Sequence, residues 1–374
     1  MRSILWKSCS NRPDRQKGLD SMLRQDIIDA IGKTPLVKLR LNDRAKGQVY
    51  AKLELLNPFG MKDRVAKNAI LEAKRKGILQ DGAPIIESSS GTMAAGVAIV
   101  GTYLGHPVHI VTDPRIDPIT EAKLTSLGCQ VHIVEKMSPD RGWQGSRLEL
   151  LEQLLQEHPG SFWPRQYENP DNPGAYRELA AEVMEDIGPV DILVAAVGSG
   201  GSLSGTARAL KAYNPDLKVV AVDATGSVIF GQPDNPKRLQ GGLGNSLVAP
   251  NVDFAVMDEI HWLNDEEAFA ATLQLAQEEK IFAGNSSGSV FAVARWIASQ
   301  VGEDQKVLAI FPDRGDRYVD SIYSEAYRID KGVNRLHLPD DPAHVSYDTV
   351  VTSWSYAKIE VKGANVNEEE TAVR

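Results

Sequence analysis

Short apolar runs rich in β-branched residues recur along the chain: PIIE (84–87), VHIVT (108–112), QVHIV (130–134), ILVAAV (192–197), KVVAVD (218–223) and KVLAIF (306–311). Each has the length of a strand and is followed by a longer amphipathic stretch. That alternation predicts an α/β architecture with mostly parallel sheets, because parallel strands need a crossover, usually helical, between them. After PIIE, the segment SSSGTMAAGVAIVGTYLG opens on serines and continues as Ala and aliphatic residues, which predicts a buried helix. After ILVAAV, GSGGSLSGTARALKAYNP is a Gly and Ser turn running into a helix that stops at Pro215. Such a loop lies at the carboxyl edge of the sheet, where α/β proteins bind ligands. The Pro and Asn cluster ENPDNPGAY (168–176) marks the expected crossing between two domains.

Composition narrows the function. The 374 residues are enough for two domains, and 42% hydrophobic with 24% charged residues is ordinary for a globular protein. A formal net charge of -9 argues against a nucleic-acid-binding face, which needs clustered Lys and Arg, so the expected partner is a small molecule. Cys9 and Cys129 are the only cysteines, which leaves no disulfide framework or Cys-rich metal site and points to a reducing compartment, the cytoplasm. No run of 18 apolar residues exists, so no membrane span is expected. The basic opening lacks the apolar core of a secretory signal; residues 1–22 read as a mobile arm and VKGANVNEEETAVR (361–374) as a loose tail. The histidines fall in no metal spacing such as HExxH, and no metal is expected.

Several segments carry candidate chemistry. VGSGGSLSG (197–205) places a Gly-rich turn at a helix start, which aims free backbone N–H groups and the positive end of the helix dipole at one point, a place for a phosphate. A dinucleotide site is the rival reading, and Asp223 at the end of the next strand imitates its ribose-binding acid. The spacing fails, because Leu203 stands where the third glycine of GxGxxG belongs. NPFGMKDR (57–64) sets Lys62 after a Pro-Gly turn and near a helix start, where the dipole lowers a lysine's pKa and favours nucleophilic or Schiff-base chemistry. Taken singly, a solvated surface lysine is the simpler reading. ESSSGTM (87–93) offers hydroxyls and backbone N–H groups that could grip a carboxylate, or merely an N-cap. GNSSGS (284–289) and FPDRGDRY (311–318) again lie at a helix start and after an apolar strand; in isolation Asp313 and Arg314 read as a surface ion pair.

Together and in this order, these motifs resemble the cysteine synthase and cystathionine β-synthase family of fold-type II pyridoxal-phosphate (PLP) enzymes, over about residues 27–327. IGKTPLVKL (31–39) resembles the family's opening signature, NPFGMKDR its Schiff-base motif and ESSSGTM its substrate-carboxylate loop. QYENPDNP (166–173) resembles the segment whose Gln faces the same carboxylate, and VGSGGSLSG the phosphate cup. GNSSGS and FPDRGDRY resemble the segments that close around the pyridine ring.

The resemblance implies a fold like that of the tryptophan synthase β subunit: two three-layer αβα domains with mostly parallel sheets. Residues 23–60 and 166–330 would form a large PLP-binding domain, 61–165 a smaller mobile domain that closes over substrate, and 331–374 a C-terminal extension. A homodimer is the family expectation. The cofactor would be PLP, held by Lys62, Thr92, Gly198, Ser199, Gly200, Gly201, Ser202 and Asp313, with Lys62 catalytic. The substrate carboxylate would meet Ser89, Ser90, Gly91, Thr92 and Gln166. Certain positions depart from the family pattern: a Ser is missing between Gly60 and Met61, Thr92 stands in place of an Asn, and PDRGDRY lacks a pyridine-facing Ser, which leaves Asp313 or Arg314 nearby. ESSSGTM, HIVTDPRIDPIT and FPDRGDRY resemble a cysteine desulfhydrase-like branch. The expected reaction is therefore β-elimination on L-cysteine or a related β-substituted alanine, by way of an aminoacrylate, giving sulfide, pyruvate and ammonia. The alternatives are β-replacement, as in a cysteine synthase or cystathionine β-synthase, and, from other classes, an NAD(P)-dependent oxidoreductase or a non-catalytic binding protein.

Overall fold

The computed structural model describes residues 23–41 and 45–359; the basic arm, Cys9 and the acidic tail lie outside them. The strands are β1 (Leu36–Lys38), β2 (Gln48–Lys52), β3 (Ile85–Ser88), β4 (Val108–Thr112), β5 (Gln130–Ile133), β6 (Ile192–Ala196), β7 (Lys218–Ala224), β8 (Glu259–Leu263), β9 (Lys306–Ile310), β10 (Ala343–His344) and β11 (Ser355–Lys358). The helices are α1 (Lys62–Arg75), α2 (Thr92–Tyr103), α3 (Pro118–Ser126), α4 (Gly142–Glu157), α5 (Asp171–Gly174), α6 (Tyr176–Ile187), α7 (Gly201–Lys211), α8 (Asp265–Glu278), α9 (Asn285–Gln300) and α10 (Glu325–Asp330). Every apolar run marked as a strand is one, to within a residue at either end.

Two sheets result. The larger has the order β1-β2-β9-β6-β7-β8-β11-β10, parallel from β2 to β8 and antiparallel where β1 and β11 join. The smaller is β3-β4-β5, all parallel. Alternation along β6 and β7 feeds two cores. Leu193, Ala195, Val219 and Ala221 pack with Leu179, Leu203 and Leu210 of α6 and α7, whereas Ile192, Val194, Val220 and Val222 pack with α8 and α9. The small sheet is covered in the same way, Ile86 and Val111 meeting Leu151 and Leu154 of α4 while Ile85, Val108 and Ile110 face α2. Strands buried on both faces read as continuous apolar runs, which is why they stood out in the sequence.

Helix α2 is buried from Met93 to Gly101, as its Ala-rich sequence predicts. It lies close against α1, and a side chain at Gly96 would come within 3.0 Å of the Lys62 carbonyl. The C-terminal segment caps the large sheet: β11 pairs with β8, and the Trp354 indole donates to His261 Nδ1 at 3.2 Å. No helix among the described residues is long and apolar enough to cross a membrane.

Candidate active site

The segment around Lys62 is shaped by its neighbours in sequence. Gly60 adopts φ +134°, a conformation open to glycine, and the turn is closed by Asp63, whose Oδ2 accepts from the N–H of Phe59 at 2.7 Å and of Gly60 at 3.3 Å. The Met61 N–H donates to the Pro312 carbonyl at 2.8 Å, which ties this turn to the strand-end segment after β9. Lys62 is the first residue of α1, half-buried, and burial pulls its ammonium down to about 8. Lys62 lines the cavity wall.

Its Nζ donates to Ser199 Oγ at 3.1 Å, so the lysine touches the Gly-rich loop between β6 and α7. Gly200 has φ +82°, and a Cβ there would sit 2.6 Å from the Val252 nitrogen; at Gly201 it would sit 2.1 Å from Asn172 Oδ1. These two glycines stand behind the wall, while Gly198, Ser199 and Ser202 line the cavity. Asn172 braces the loop from behind, with its Nδ2 on the Gln166 carbonyl at 2.6 Å and on Ser199 Oγ at 3.3 Å. ENPDNPGAY therefore does more than connect: it fastens Gln166 to the loop that carries Ser199.

The loop 88–93 leaves β3 and enters α2, so that Ser88, Ser89, Ser90, Gly91 and Thr92 line the same cavity as Gln166 and Lys62. Beneath it Glu87, which burial pushes up to about 7, accepts from the Ser88 N–H at 2.8 Å. Two guanidiniums reach Ser90. Arg147 of α4 has Nη1 3.4 Å from Ser90 Oγ and 3.4 Å from Asp113 Oδ2, and its Nε is buried without a hydrogen-bond partner. Arg317 bonds Asp117 at 3.0 Å and has Nη2 3.5 Å from the Ser90 carbonyl.

The remaining wall comes from GNSSGS and FPDRGDRY. Ser286, near the start of α9, has its Oγ 3.4 Å from Asp313 Oδ1, and the Tyr318 hydroxyl donates to Asp313 Oδ2 at 2.6 Å. The surface pairing of Asp313 with Arg314 is corrected here: Asp313 is buried in the cavity wall, while Arg314 points outward to Asp316 at 2.6 Å. The sequence singled out neither Arg147 nor the loop with Gly241, Gly242, Gly244 and Asn245, and carried Arg317 and Tyr318 only within FPDRGDRY; all of these line the cavity. The loop had a signal in its glycines, since Gly242 and Gly244 take φ +85° and +72° and the Gly242 carbonyl lies 3.1 Å from the Cβ position of Gly198.

The cavity measures about 350 Å³, within the usual range for small-molecule sites. A phosphorylated aldehyde fits its chemistry. It offers an amine of lowered pKa, a helix N-terminus carrying two serines beside that amine, and glycines whose Cβ space is already occupied. Residues 27–313 match the family described as pyridoxal-phosphate-dependent enzymes. The chain belongs to this family. It is 38% identical over 313 residues, 82% of this chain and 92% of the relative, to N-(2-amino-2-carboxyethyl)-L-glutamate synthase of Cupriavidus metallidurans. Among solved structures it resembles a hydrogen sulfide-producing enzyme from Fusobacterium nucleatum, with TM-score 0.75 and 30% identity over 80% of this chain and all of that one. It also resembles an O-acetylserine-dependent cystathionine β-synthase from Helicobacter pylori, with TM-score 0.73 and 32% identity over 81% of this chain and 100% of the other. As a member of this family the protein is a PLP-dependent enzyme with the fold-type II architecture expected from the motifs.

Proposed function

We propose that the enzyme catalyses β-replacement: it expels the β-substituent of a serine-derived amino acid and joins the β-carbon to the amino group of an acidic amino acid such as glutamate. The observation that carries this reading is the pair Arg147 and Arg317. The substrate's own carboxylate is served by the hydroxyls and N–H groups of Ser89, Ser90, Gly91 and Thr92 and by Gln166. Two guanidiniums line the cavity beside Ser90; each also pairs with an aspartate, Arg147 with Asp113 and Arg317 with Asp117, and they are the cations on the lining suited to a further carboxylate. The curated relatives are named for a product in which a carboxylated aminoethyl group is attached to glutamate, the bond this arrangement favours. The elimination expected from the resemblance is the second reading, favoured by the likeness to the hydrogen sulfide-producing enzyme.

Bound PLP supplies an electron sink that acidifies the α-hydrogen of an amino acid and makes its β-substituent easy to expel. The Gly198–Ser202 loop and the α7 N-terminus would hold the cofactor phosphate, and Lys62 its aldehyde. Lys62 would also be the base at the substrate's α-hydrogen, and burial, by lowering its pKa to about 8, leaves far more of its amine neutral near neutral pH than an ordinary lysine has. Thr92, which lines the cavity at the α2 start, would face the cofactor. The segment 61–165, which carries the carboxylate loop and Arg147, closes over the occupied site and excludes water.

The test is to supply the holoenzyme with O-acetylserine or O-phosphoserine and, in parallel, glutamate, sulfide or homocysteine, and to identify products by mass. A condensed product formed faster with glutamate than with either sulfur nucleophile supports the proposal. Pyruvate and ammonia formed at one rate whatever the acceptor would replace it with elimination.

A further inference from the structure

The stretch HIVTDPRIDPIT (109–120) carries the end of β4 and the start of α3, and the reaction outlined above does not use it. Its two aspartates stand four residues apart, each directly before a proline, and each pairs with one of the cavity guanidiniums: Asp113 with Arg147 and Asp117 with Arg317. We propose that Asp117 is a positioning residue for the acceptor: it sets the Arg317 guanidinium beside Ser90, where a carboxylate of the incoming acidic amine is received. The inference rests on the β-replacement reading with an acidic acceptor.

The local sequence fixes this carboxylate. Pro118 disfavours the helical conformation for the residue before it, so Asp117 is extended, with φ -72° and ψ 144°, and stands as the N-cap of α3. Its Oδ1 accepts from the Thr120 N–H at 2.8 Å and its Oδ2 from the Thr120 hydroxyl at 2.7 Å. The same Oδ2 accepts from Arg317 Nε at 3.1 Å and from its Nη2 at 3.0 Å, a tie between residues 200 apart in sequence. These two bonds occupy one edge of the guanidinium. Nη2 also lies 3.5 Å from the Ser90 carbonyl, and Nη1 lies 3.6 Å from the Cβ position of Gly91, at the loop that receives carboxylates. Arg317 lines the cavity and Asp117 does not, so Asp117 acts through the arginine. Asp113 is committed differently: Arg115 bonds it through the backbone N–H at 3.1 Å, Nε at 2.8 Å and Nη2 at 3.0 Å, and Arg147 meets it at 3.4 Å.

What the pair supplies is placement. An arginine side chain has many rotamers, and one that must be immobilised as its ligand arrives weakens binding; an arginine already fixed does not. Arg317 also feels a second carboxylate, that of Asp313, and its Cζ lies 5.8 Å from the Tyr318 ring centroid. Without Asp117, Asp313 is the anion left to draw the guanidinium, toward its own wall of the cavity. Loss of Asp117 also takes a negative charge from behind the guanidinium, an effect in the opposite sense. The guanidinium stands between that charge and the cavity, so lost placement decides the sign, and acceptor binding weakens.

The experiment is a double-mutant cycle on the holoenzyme: wild type, Asp117→Asn, Arg317→Gln and the double variant, with O-acetylserine or O-phosphoserine saturating and glutamate varied. Asn caps a helix as well as Asp does, so Asp117→Asn keeps α3 and removes the charge that holds Arg317. Asp117→Ser, which also caps, takes its place if the Asn variant does not fold. Asp117→Asn should raise the KM for glutamate about three- to tenfold, the cost of immobilising one freed arginine. Its kcat and its KM for the serine-derived substrate should stay within about twofold, a split that a general loss of structure does not produce. In the Arg317→Gln background the same substitution should change the glutamate KM by less than about twofold, because the residue through which it acts is gone. A glutamate KM unchanged or lowered in Asp117→Asn, or an equal effect of the substitution with and without Arg317, overturns the proposal. Wild type that forms no condensed product with glutamate sinks the β-replacement reading itself, and this inference with it; condensed product with an additive cycle sinks this inference alone.

Discussion

A lysine at the first position of a helix sits where the dipole opposes its charge, and Lys62 is also half-buried with its Nζ on Ser199. Its depressed pKa, about 8 against the usual 10.5, has a consequence for cofactor loading. Capture of an aldehyde needs the neutral amine, which exists above the pKa. The rate at which apoenzyme takes up PLP covalently should therefore rise with pH and level off above about 8; a rise continuing toward 10.5 would show an ordinary solvated lysine. Lys62→Ala should lose both turnover and the borohydride-reducible adduct, read by the visible spectrum and by peptide mass. Arg147→Gln is expected to raise the KM for an acidic acceptor about tenfold or more, since a charge-assisted hydrogen bond contributes on the order of 1.5–3 kcal/mol, while the KM for the serine-derived substrate changes little. Equal effects on both substrates would place Arg147 at the wrong carboxylate. Lys62 was legible because its motif has a fixed local grammar of Pro, Gly, Lys and Asp. Arg147 was not: an arginine in the amphipathic sequence GWQGSRLELLEQLLQE reads as a surface residue until the fold turns α4 toward Ser90.

At the scale of elements, the loops that matter leave strands at their carboxyl ends and enter helices, the places where α/β sheets bind ligands. The 88–93 and 198–202 loops announced themselves by placing Ser and Gly between an apolar run and a helix. The 241–245 loop did not, because it follows neither a strand nor a helix start, and its glycines make sense only once Gly198 is seen against Gly242. Asp313 was half-legible: its motif was recognised, but burial and its bonds to Tyr318 and Ser286 depend on the packing of α9 against the strand end. The close fit of the Gly-rich turn makes a sharp prediction. Gly200→Val places a side chain against the Val252 backbone in a backbone region that L-residues avoid. It should cost about 2 kcal/mol or more of stability and weaken PLP binding as well, measured by denaturant unfolding of the apoenzyme and by cofactor titration. Unchanged PLP affinity would move the phosphate elsewhere.

At the scale of the whole molecule, a buried ionic cluster ties α1 and α6 to the end of β2, and no local pattern foretold it because Glu182 joins it from more than a hundred residues away. Arg64 pairs with Glu54 at 2.7 Å and with Glu182 at 2.8 Å, and the buried Lys52 reaches the same Glu182 at 2.7 Å. Burial alone would raise the Glu182 carboxyl, but Arg64 and Lys52 hold it down at about 2, below its ordinary 4.5. A carboxyl lowered in the folded state contributes stability that is fully present above its unfolded pKa and is lost as pH falls from about 4.5 toward 2. Arg64→Met leaves Glu54 and Glu182 short of their partner and should destabilise the apoenzyme by about 3–5 kcal/mol, seen as a lower denaturation midpoint. A change under about 1 kcal/mol, the size of an exposed pair, would contradict the cluster's role.

The central claim, that this cavity joins a β-carbon to an amine, is tested most directly by following the nitrogen itself. Holoenzyme is mixed with O-phosphoserine or O-acetylserine carrying ¹³C at the β-carbon, together with ¹⁵N-glutamate, and the products are read by NMR for one-bond carbon–nitrogen coupling. The account predicts a product in which the labelled carbon is bonded to the labelled nitrogen, and its loss in Lys62→Ala. Labelled pyruvate accumulating while all the ¹⁵N stays in free glutamate would contradict it.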